Sequence, residues 1–465
     1  MINLIQHDPI KVIIFFLIFG VAIIWLTFNL QNREKIFFYL IFYIPISFRS
    51  LSGTLSLYLI AMLTLWTLID AIKVDENRSF SFDSLLIVLI FIASSLSILN
   101  ADDLSLFYRS EGRIRLDYNY LSLLAVFASI GVYIMTKRFV DTEEKLLKLI
   151  SFTVISGSIA TFAGYLQIVN PGNTFIFKYI VIGESIKWSR RIAATMQGYE
   201  FLAEYSMILI LLSMILFYNS KTSMTRLLYA VIIINFLIVM TLTQVRGIYI
   251  AIVAALLYLT FLMLFLGRVK TSFKILSYSL LAITVLVGTI LFIDFLKPGE
   301  GFTDRFKQFE AVDISKGNYG TRTEVWDYGV KVIQQMSLSE KIFGAGHKYF
   351  GVNAKHFKAG GWPHNLYFSY LIRDGVVGLF LLLCFFIWLY KESLLAVYRA
   401  IRIDDRQEYF VAVILHLVLI IIVVDEFKIE FIRHDRSSTL IWLFFGIIAV
   451  NSQRIKSLTY NMKYQ

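Results

Sequence analysis

The side chains best suited to chemistry gather in one polar stretch, 321–375. It opens with Thr321-Arg322-Thr323-Glu324-Val325-Trp326, passes through Gly344-Ala345-Gly346 and reaches Pro363-His364-Asn365. Lys341, Lys348, Lys355 and Lys358 stand between 341 and 364 without one Asp or Glu among them. Such a segment is electropositive and favours an anionic headgroup or a diphosphate, although a charge run is more often a solvated face. Arg322 offers permanent, bidentate hydrogen bonding to phosphate oxygens, with pairing to Glu324 or Asp327 as the plain alternative. His364 can accept a proton near neutral pH, which suits a base that activates a hydroxyl, though a lone His is more often a structural hydrogen-bonder. Two further arginines lie upstream. Arg246 sits in Thr243-Gln244-Val245-Arg246-Gly247, a turn too short to carry its guanidinium far from the membrane face, and Trp188-Ser189-Arg190-Arg191 falls near the end of 170–198. An Arg placed between two tightly linked spans is functional by default.

The same inventory excludes several classes. No His/Cys/Asp set has zinc spacing, so no metal is expected, nor any other cofactor. The glycines at 344, 346, 351, 360 and 361 make a flexible, close-approach loop that carries His347 and His356; they are followed by no Gly-Lys-Ser/Thr and preceded by no strand, which excludes a nucleotide phosphate loop. Cys384, the only cysteine, lies in an apolar run, so neither a disulfide nor thiol catalysis is expected.

The elements that position these residues are membrane spans. The chain of 465 residues is 58% hydrophobic and 17% charged, far from a soluble composition. Candidate spans fall at 10–29, 35–49, 53–72, 83–100, 117–136, 145–168, 199–219, 225–243, 247–266, 273–296, 366–390, 408–425 and 437–452. The expected fold is therefore all-α: a polytopic transmembrane helical bundle of 12–13 spans, with a long extracytoplasmic loop before the last three. The uncertainty of one lies in 35–49, which is short and holds Pro45. Val12–Phe28 reads as the first span and not as a removed leader, because no small-x-small site follows it. Residues 1–465 read as one integral membrane unit, with 297–365 as the extracytoplasmic loop carrying short amphipathic helices.

Lys and Arg set the orientation. Basic clusters at 73–78, 137–148, 221–226, 268–274, 391–406 and 454–463 alternate with the remaining loops and mark the cytoplasmic side. The net charge of +11 is spread through these loops, which argues against nucleic acid. The alternation puts 101–116, 170–198, 244–247, 297–365 and 426–436 outside, so all the candidate site residues share one face. Within the long loop, Thr321-x-x-Glu324 is a capping-box pattern, followed by Trp326, Val330, Ile333 and Met336 at helical spacing. It predicts an amphipathic helix from about Thr321, with Arg322 in its first turn beside free backbone N–H groups.

Taken in order, Gln244-Val245-Arg246-Gly247 before an apolar span, Arg322-x-x-x-Trp326, Gly344-x-Gly346, His364-Asn365-x-Tyr367 and Asp374-Gly375-x-x-Gly378-Leu379 resemble the bacterial O-antigen ligase and polymerase family. The resemblance covers 185–390 in motif and the whole chain in topology. It implies a membrane-embedded, metal-independent, inverting glycosyltransferase of the inner (plasma) membrane, with its site on the periplasmic side. The implied partners are an undecaprenyl-diphosphate-linked glycan and a lipid A–core or lipid-linked acceptor within the membrane lipid. By the same resemblance Arg246, Arg322 and Arg191 hold the donor diphosphate and His364 activates the acceptor hydroxyl, with Asn365 and Trp326 in support. Asp374, Glu200 and Glu204 are the alternative bases. A transporter or flippase for lipid-linked glycans is the reading from another class; it requires paired charges at mid-membrane and inverted repeats, and neither is evident.

Overall fold

The structure is a computed structural model that describes residues 32–46, 52–74, 81–100, 107–110, 113–116, 118–169, 192–196, 198–270, 276–277, 284, 321–347, 365–427 and 435–463. The helices are α1 (Arg33–Ile46), α2 (Ser52–Val74), α3 (Phe82–Ser97), α4 (Tyr118–Phe139), α5 (Glu143–Val169), α6 (Tyr199–Asn219), α7 (Ser223–Thr243), α8 (Arg246–Phe265), α9 (Thr321–Gln335), α10 (Leu338–Phe343), α11 (Leu366–Ile403), α12 (Arg406–Asp425) and α13 (Asp435–Lys463). One antiparallel hairpin, β1 (Phe107–Ser110) with β2 (Arg113–Leu116), interrupts them in the connection expected outside. Among the described residues nine helices are long and apolar enough to cross a membrane, which makes this a multi-pass membrane protein. The candidate span 10–29, and 273–296 apart from residues 276–277 and 284, lie outside the described residues.

α13 is the hub. Every residue from Leu440 to Val450 other than Gly446 is among the buried hydrophobics, so the helix is apolar all round and enclosed by α4, α11 and α12. α7 is its opposite. It packs on α6 and, among the described residues, leaves Met224, Leu227, Val231 and Ile234 more than half exposed, an apolar face of the kind a lipid-facing helix presents. Within the spans, His416 bridges Tyr258 Oη (2.7 Å) and Ser393 Oγ (2.8 Å), which ties α8, α11 and α12 together.

Ion pairs collect at one end of the bundle. Lys137 pairs with Asp83, and Tyr133 Oη donates to the same carboxylate at 2.6 Å. Lys145 reaches Glu34 at 3.0 Å; Arg454 pairs with Glu408 and lies 3.5 Å from Glu143. These cations belong to the loops that the Lys/Arg alternation groups on one side. α1, the doubtful span, joins the two ends. Its first turn supplies Glu34 to Lys145, and the carbonyl of Pro45 at its other end accepts from Thr195 Oγ at 2.6 Å. Fourteen residues cover only about 21 Å, less than a typical span. Burial of Phe37, Ile41 and Ile44 against protein removes the need to match a full lipid thickness.

Candidate functional site

The end opposite the ion pairs is organised around a break in α11. The helix starts at Leu366, and its N-cap Asn365 accepts from the backbone N–H of Tyr367 (3.0 Å) and Phe368 (3.1 Å). Asn365 also donates through Nδ2 to the Phe427 carbonyl at 3.0 Å, while Leu366 N–H donates to the Glu426 carbonyl at 3.0 Å. The entry to α11 is thus fixed to the end of α12. Asn365, expected as a supporting residue, is a cap and a tether.

Two turns on, Gly375 takes φ 71°, ψ −173° and ends the half-helix 366–374 before the long span resumes. The carbonyls freed by this break need donors. The 344–346 turn supplies them: Ala345 N–H donates to Ile372 O at 2.9 Å and Gly346 N–H to Arg373 O at 3.1 Å. The two strands of backbone approach so closely that only glycine fits on either side. A Cβ at Gly344 would stand 2.0 Å from Arg373 O, and one at Gly375 would stand 2.3 Å from Ile342 O. Gly344-x-Gly346 and Asp374-Gly375-x-x-Gly378, far apart in sequence, are two halves of one interlock. Asn100 closes it from the side, donating to the Gly344 carbonyl at 2.8 Å and accepting from Ser339 Oγ at 2.9 Å.

Beneath the interlock lies a buried polar cluster. Arg373 donates to Asp374 Oδ2 through Nε (2.9 Å) and Nη2 (2.6 Å), with its guanidinium 4.4 Å from the centre of the Tyr370 ring. His347 Nε2 lies 3.7 Å from Asp374 Oδ1, and His347 Nδ1 lies 2.6 Å from Ser122 Oγ. Burial, and then the nearby Arg373, push the His347 pKa down to about 3, against an opposing pull from Asp374. The ring is therefore neutral, and a proton on Nε2 lets Nδ1 accept from Ser122. Ser122, His347 and Asp374 are the residue types of a hydrolase triad, but the His347 and Asp374 side chains are wholly enclosed and meet no substrate. This corrects the expectation of His347 as a residue of a flexible glycine-rich loop. Asp374, one of the alternative bases, has a fully buried side chain.

α9 begins at Thr321, as the capping pattern predicts. Its inner face is Gly329, Val332 and Met336, while Val330 is 41% exposed, so the apolar stripe runs one position over from the expected one. Trp326 lies against Phe368 with ring centres 6.3 Å apart. This contact lays α9 on the half-helix: Arg322 is one turn before Trp326 in sequence, and His364 is four residues before Phe368. The side chains of Arg322 and Arg246, and the whole of Arg191 and His364, lie outside the described residues. Lys348, His356 and the glycines at 351–361 do too.

The segments flanking those residues are described. Gln244, in the left-handed region at φ 54°, ends α7, and Arg246 is the first residue of α8, so the 244–246 turn is as tight as expected. Next to Arg191 the chain dives inward: Ile192–Met196 is buried, with Gln167 Oε1 accepting from the N–H groups of Ala193 (3.0 Å) and Ala194 (2.9 Å). Glu204, one turn into α6, is buried in a cleft with Met196, Phe201, Tyr205, Ser437 and Leu440, whereas Glu200 is half-buried. Asp425 and Glu426 are buried beside Asn365 and were not singled out from sequence. Two acids directly after the apolar run 417–424 were the available signal.

Residues 230–383 match the family model described as O-antigen ligase. The O-antigen ligase match runs from α7 into α11 and so takes in the 244–246 turn, α9, the interlock and the Asn365 cap; Arg191 precedes it. It supports a function of the O-antigen ligase and polymerase type on lipid-linked glycans. No curated protein matches the chain.

Proposed function

We propose that this chain is a membrane-embedded glycosyltransferase. It moves a glycan from undecaprenyl diphosphate to a lipid A–core sugar hydroxyl on the periplasmic side of the bacterial inner membrane. The observation that supports this best is the seating of α9 on the half-helix 366–374 through Trp326 and Phe368, within the O-antigen ligase match. That contact brings the helix headed by Thr321-Arg322 to the segment introduced by His364-Asn365.

The acceptor hydroxyl attacks the anomeric carbon as the bond to the diphosphate breaks, with inversion at that carbon. His364 takes the hydroxyl proton. Negative charge builds on the leaving diphosphate, where Arg246, Arg322 and Arg191 donate charge-assisted, bidentate hydrogen bonds. Asn365 fixes the backbone directly after His364, and Trp326 fixes the helix behind Arg322.

The test uses purified protein in nanodiscs with a lipid-linked donor and a lipid A–core acceptor. His364→Ala should keep donor binding and lose turnover by roughly a hundredfold to ten-thousandfold. His364→Gln should stay slow because an amide takes no proton. Normal turnover in His364→Ala with a dead Glu200→Ala or Glu204→Ala would move the base to a carboxylate. A repeat-unit polymerase shares the donor chemistry. A deletion strain separates the two, since lipid-linked polymer accumulates without a ligase and single-repeat bands remain without a polymerase.

A further inference from the structure

The ion-paired end of the bundle contains a basic groove. α11 and α13, of 38 and 29 residues, are both longer than the roughly 20 residues a span needs; they pack together and leave between them a groove of about 530 Å³ at this end. Arg399 of α11 forms one wall; Gln453, Lys456, Tyr460 and Asn461 of α13 form the other, with no acid among the lining residues. Elsewhere at this end Lys137 pairs with Asp83, Lys145 with Glu34 and Arg454 with Glu408. Arg399 is held more loosely. Its Nη1 is buried without a hydrogen-bond partner among the described residues, and its ion pair with Glu392 Oε2 is long, at 4.0 Å. A buried donor on a permanent cation is seldom left unsatisfied in a native fold.

We propose that this groove holds the phosphodiester headgroup of an anionic phospholipid from the adjoining leaflet. Arg399 and Lys456 supply the charge, and the amides of Gln453 and Asn461 supply further donors. The neighbouring hydroxyls cannot serve as donors: Ser457 Oγ already donates to Gln453 O at 3.1 Å and Thr459 Oγ to Ile455 O at 2.8 Å. A lipid fits better than a soluble anion because the groove opens beside exposed apolar surface. Leu458 and Met462 are exposed on the same helix, and Tyr460 is 61% exposed, the amphipathic residue typical of the headgroup level. Basic pockets between spanning helices on the cytoplasmic side, where the leaflet is anionic, are the general form of such sites.

Native mass spectrometry of the full chain released from vesicles containing phosphatidylglycerol and phosphatidylcholine tests this. Wild type should retain phosphatidylglycerol at detergent levels that strip phosphatidylcholine. Arg399→Gln with Lys456→Gln should weaken that retention roughly thirtyfold, the loss expected for two cations at an anionic surface. Lys221→Gln with Lys270→Gln, at the same end but away from the groove, should leave it unchanged. Equal retention by wild type and the groove variant, or equal retention of both lipids, would overturn the proposal. So would displacement of the lipid by millimolar inorganic phosphate alone, which would mark a simple anion site. The measurement reads lipid and not transfer, so it stands apart from the glycosyltransferase reading.

Discussion

Arg373→Ala is the most informative single change near the interlock. The Asp374 side chain is 0% exposed and its Oδ2 receives two hydrogen bonds, both from Arg373. Its Oδ1 has no hydrogen-bond partner among the described residues, with His347 Nε2 at 3.7 Å. Removing the guanidinium therefore strands a buried carboxylate, a loss of about 3–5 kcal/mol. In a chain of this length each kcal/mol is worth about 1 °C, so the apparent melting temperature should fall by roughly 3–5 °C. Asp374→Asn in the Arg373→Ala background removes the stranded charge and should recover more than half of the loss. Unfolding of the detergent-solubilised protein, followed by tryptophan fluorescence, measures all the variants at one pH. The reasoning fails if Arg373→Ala melts like wild type, or if the double variant melts below it.

Gly375→Ala should cost at least about 1–3 kcal/mol from backbone strain alone, with the Ile342 carbonyl at 2.3 Å adding to it, and folded yield will report the loss. Gly329→Ala is the control, because its Cβ would meet only Phe368 Cδ1 at 3.9 Å and the helix gains about 0.5–1 kcal/mol. Arg246→Ala and Arg322→Ala should each abolish transfer in folded, inserted protein, with about 1.5–3 kcal/mol lost from donor binding and poor rescue by Lys. Wild-type rates in both would remove the diphosphate clamp. Transfer should persist in EDTA; strict dependence on added Mg²⁺ or Mn²⁺ would count against the arginines and point instead to carboxylates of the long loop, such as Asp304 with Glu310.

The spans were legible because a membrane demands long apolar runs, and eleven of the thirteen candidate segments fall on described helices. The start of α9 was legible for the same local reason, a cap followed by a helical period. The doubt over α1 was not resolvable from sequence. A short helix crosses only if neighbours bury it, and burial of Phe37 and Ile41 is a tertiary fact. The interlock was visible only as two unconnected glycine motifs, because backbone packing between residues thirty apart leaves no periodic signal. His347 was misread on composition: a histidine among glycines and lysines looks mobile, yet Ser122, more than two hundred positions away, holds it. Val330 was misplaced because it keeps helical spacing with Trp326 and Ile333 while Val332 keeps it with Met336, and only packing on α11 chooses between the two stripes.

The two ends of the bundle are held together by different forces, and the difference bears on what each can do. At the ion-paired end, carboxylates from α1, α3, α5 and α12 neutralise Lys137, Lys145 and Arg454. At the other end the cohesion comes from neutral contacts: the Asn365 cap, the Asn100 bracket, and the amides of Ala345 and Gly346 on the carbonyls of Ile372 and Arg373. Asp374, the acid nearest the interlock, is taken up by Arg373 below the surface. A fold that needed surface carboxylates to hold this end would pair them with any arginine placed there and weaken its hold on a diphosphate. On the proposed chemistry, an interlock built from backbone and amide hydrogen bonds adds no surface carboxylate of its own to compete with the diphosphate for Arg246 and Arg322, and the diphosphate would complete the electrostatics of this end as carboxylates do at the other.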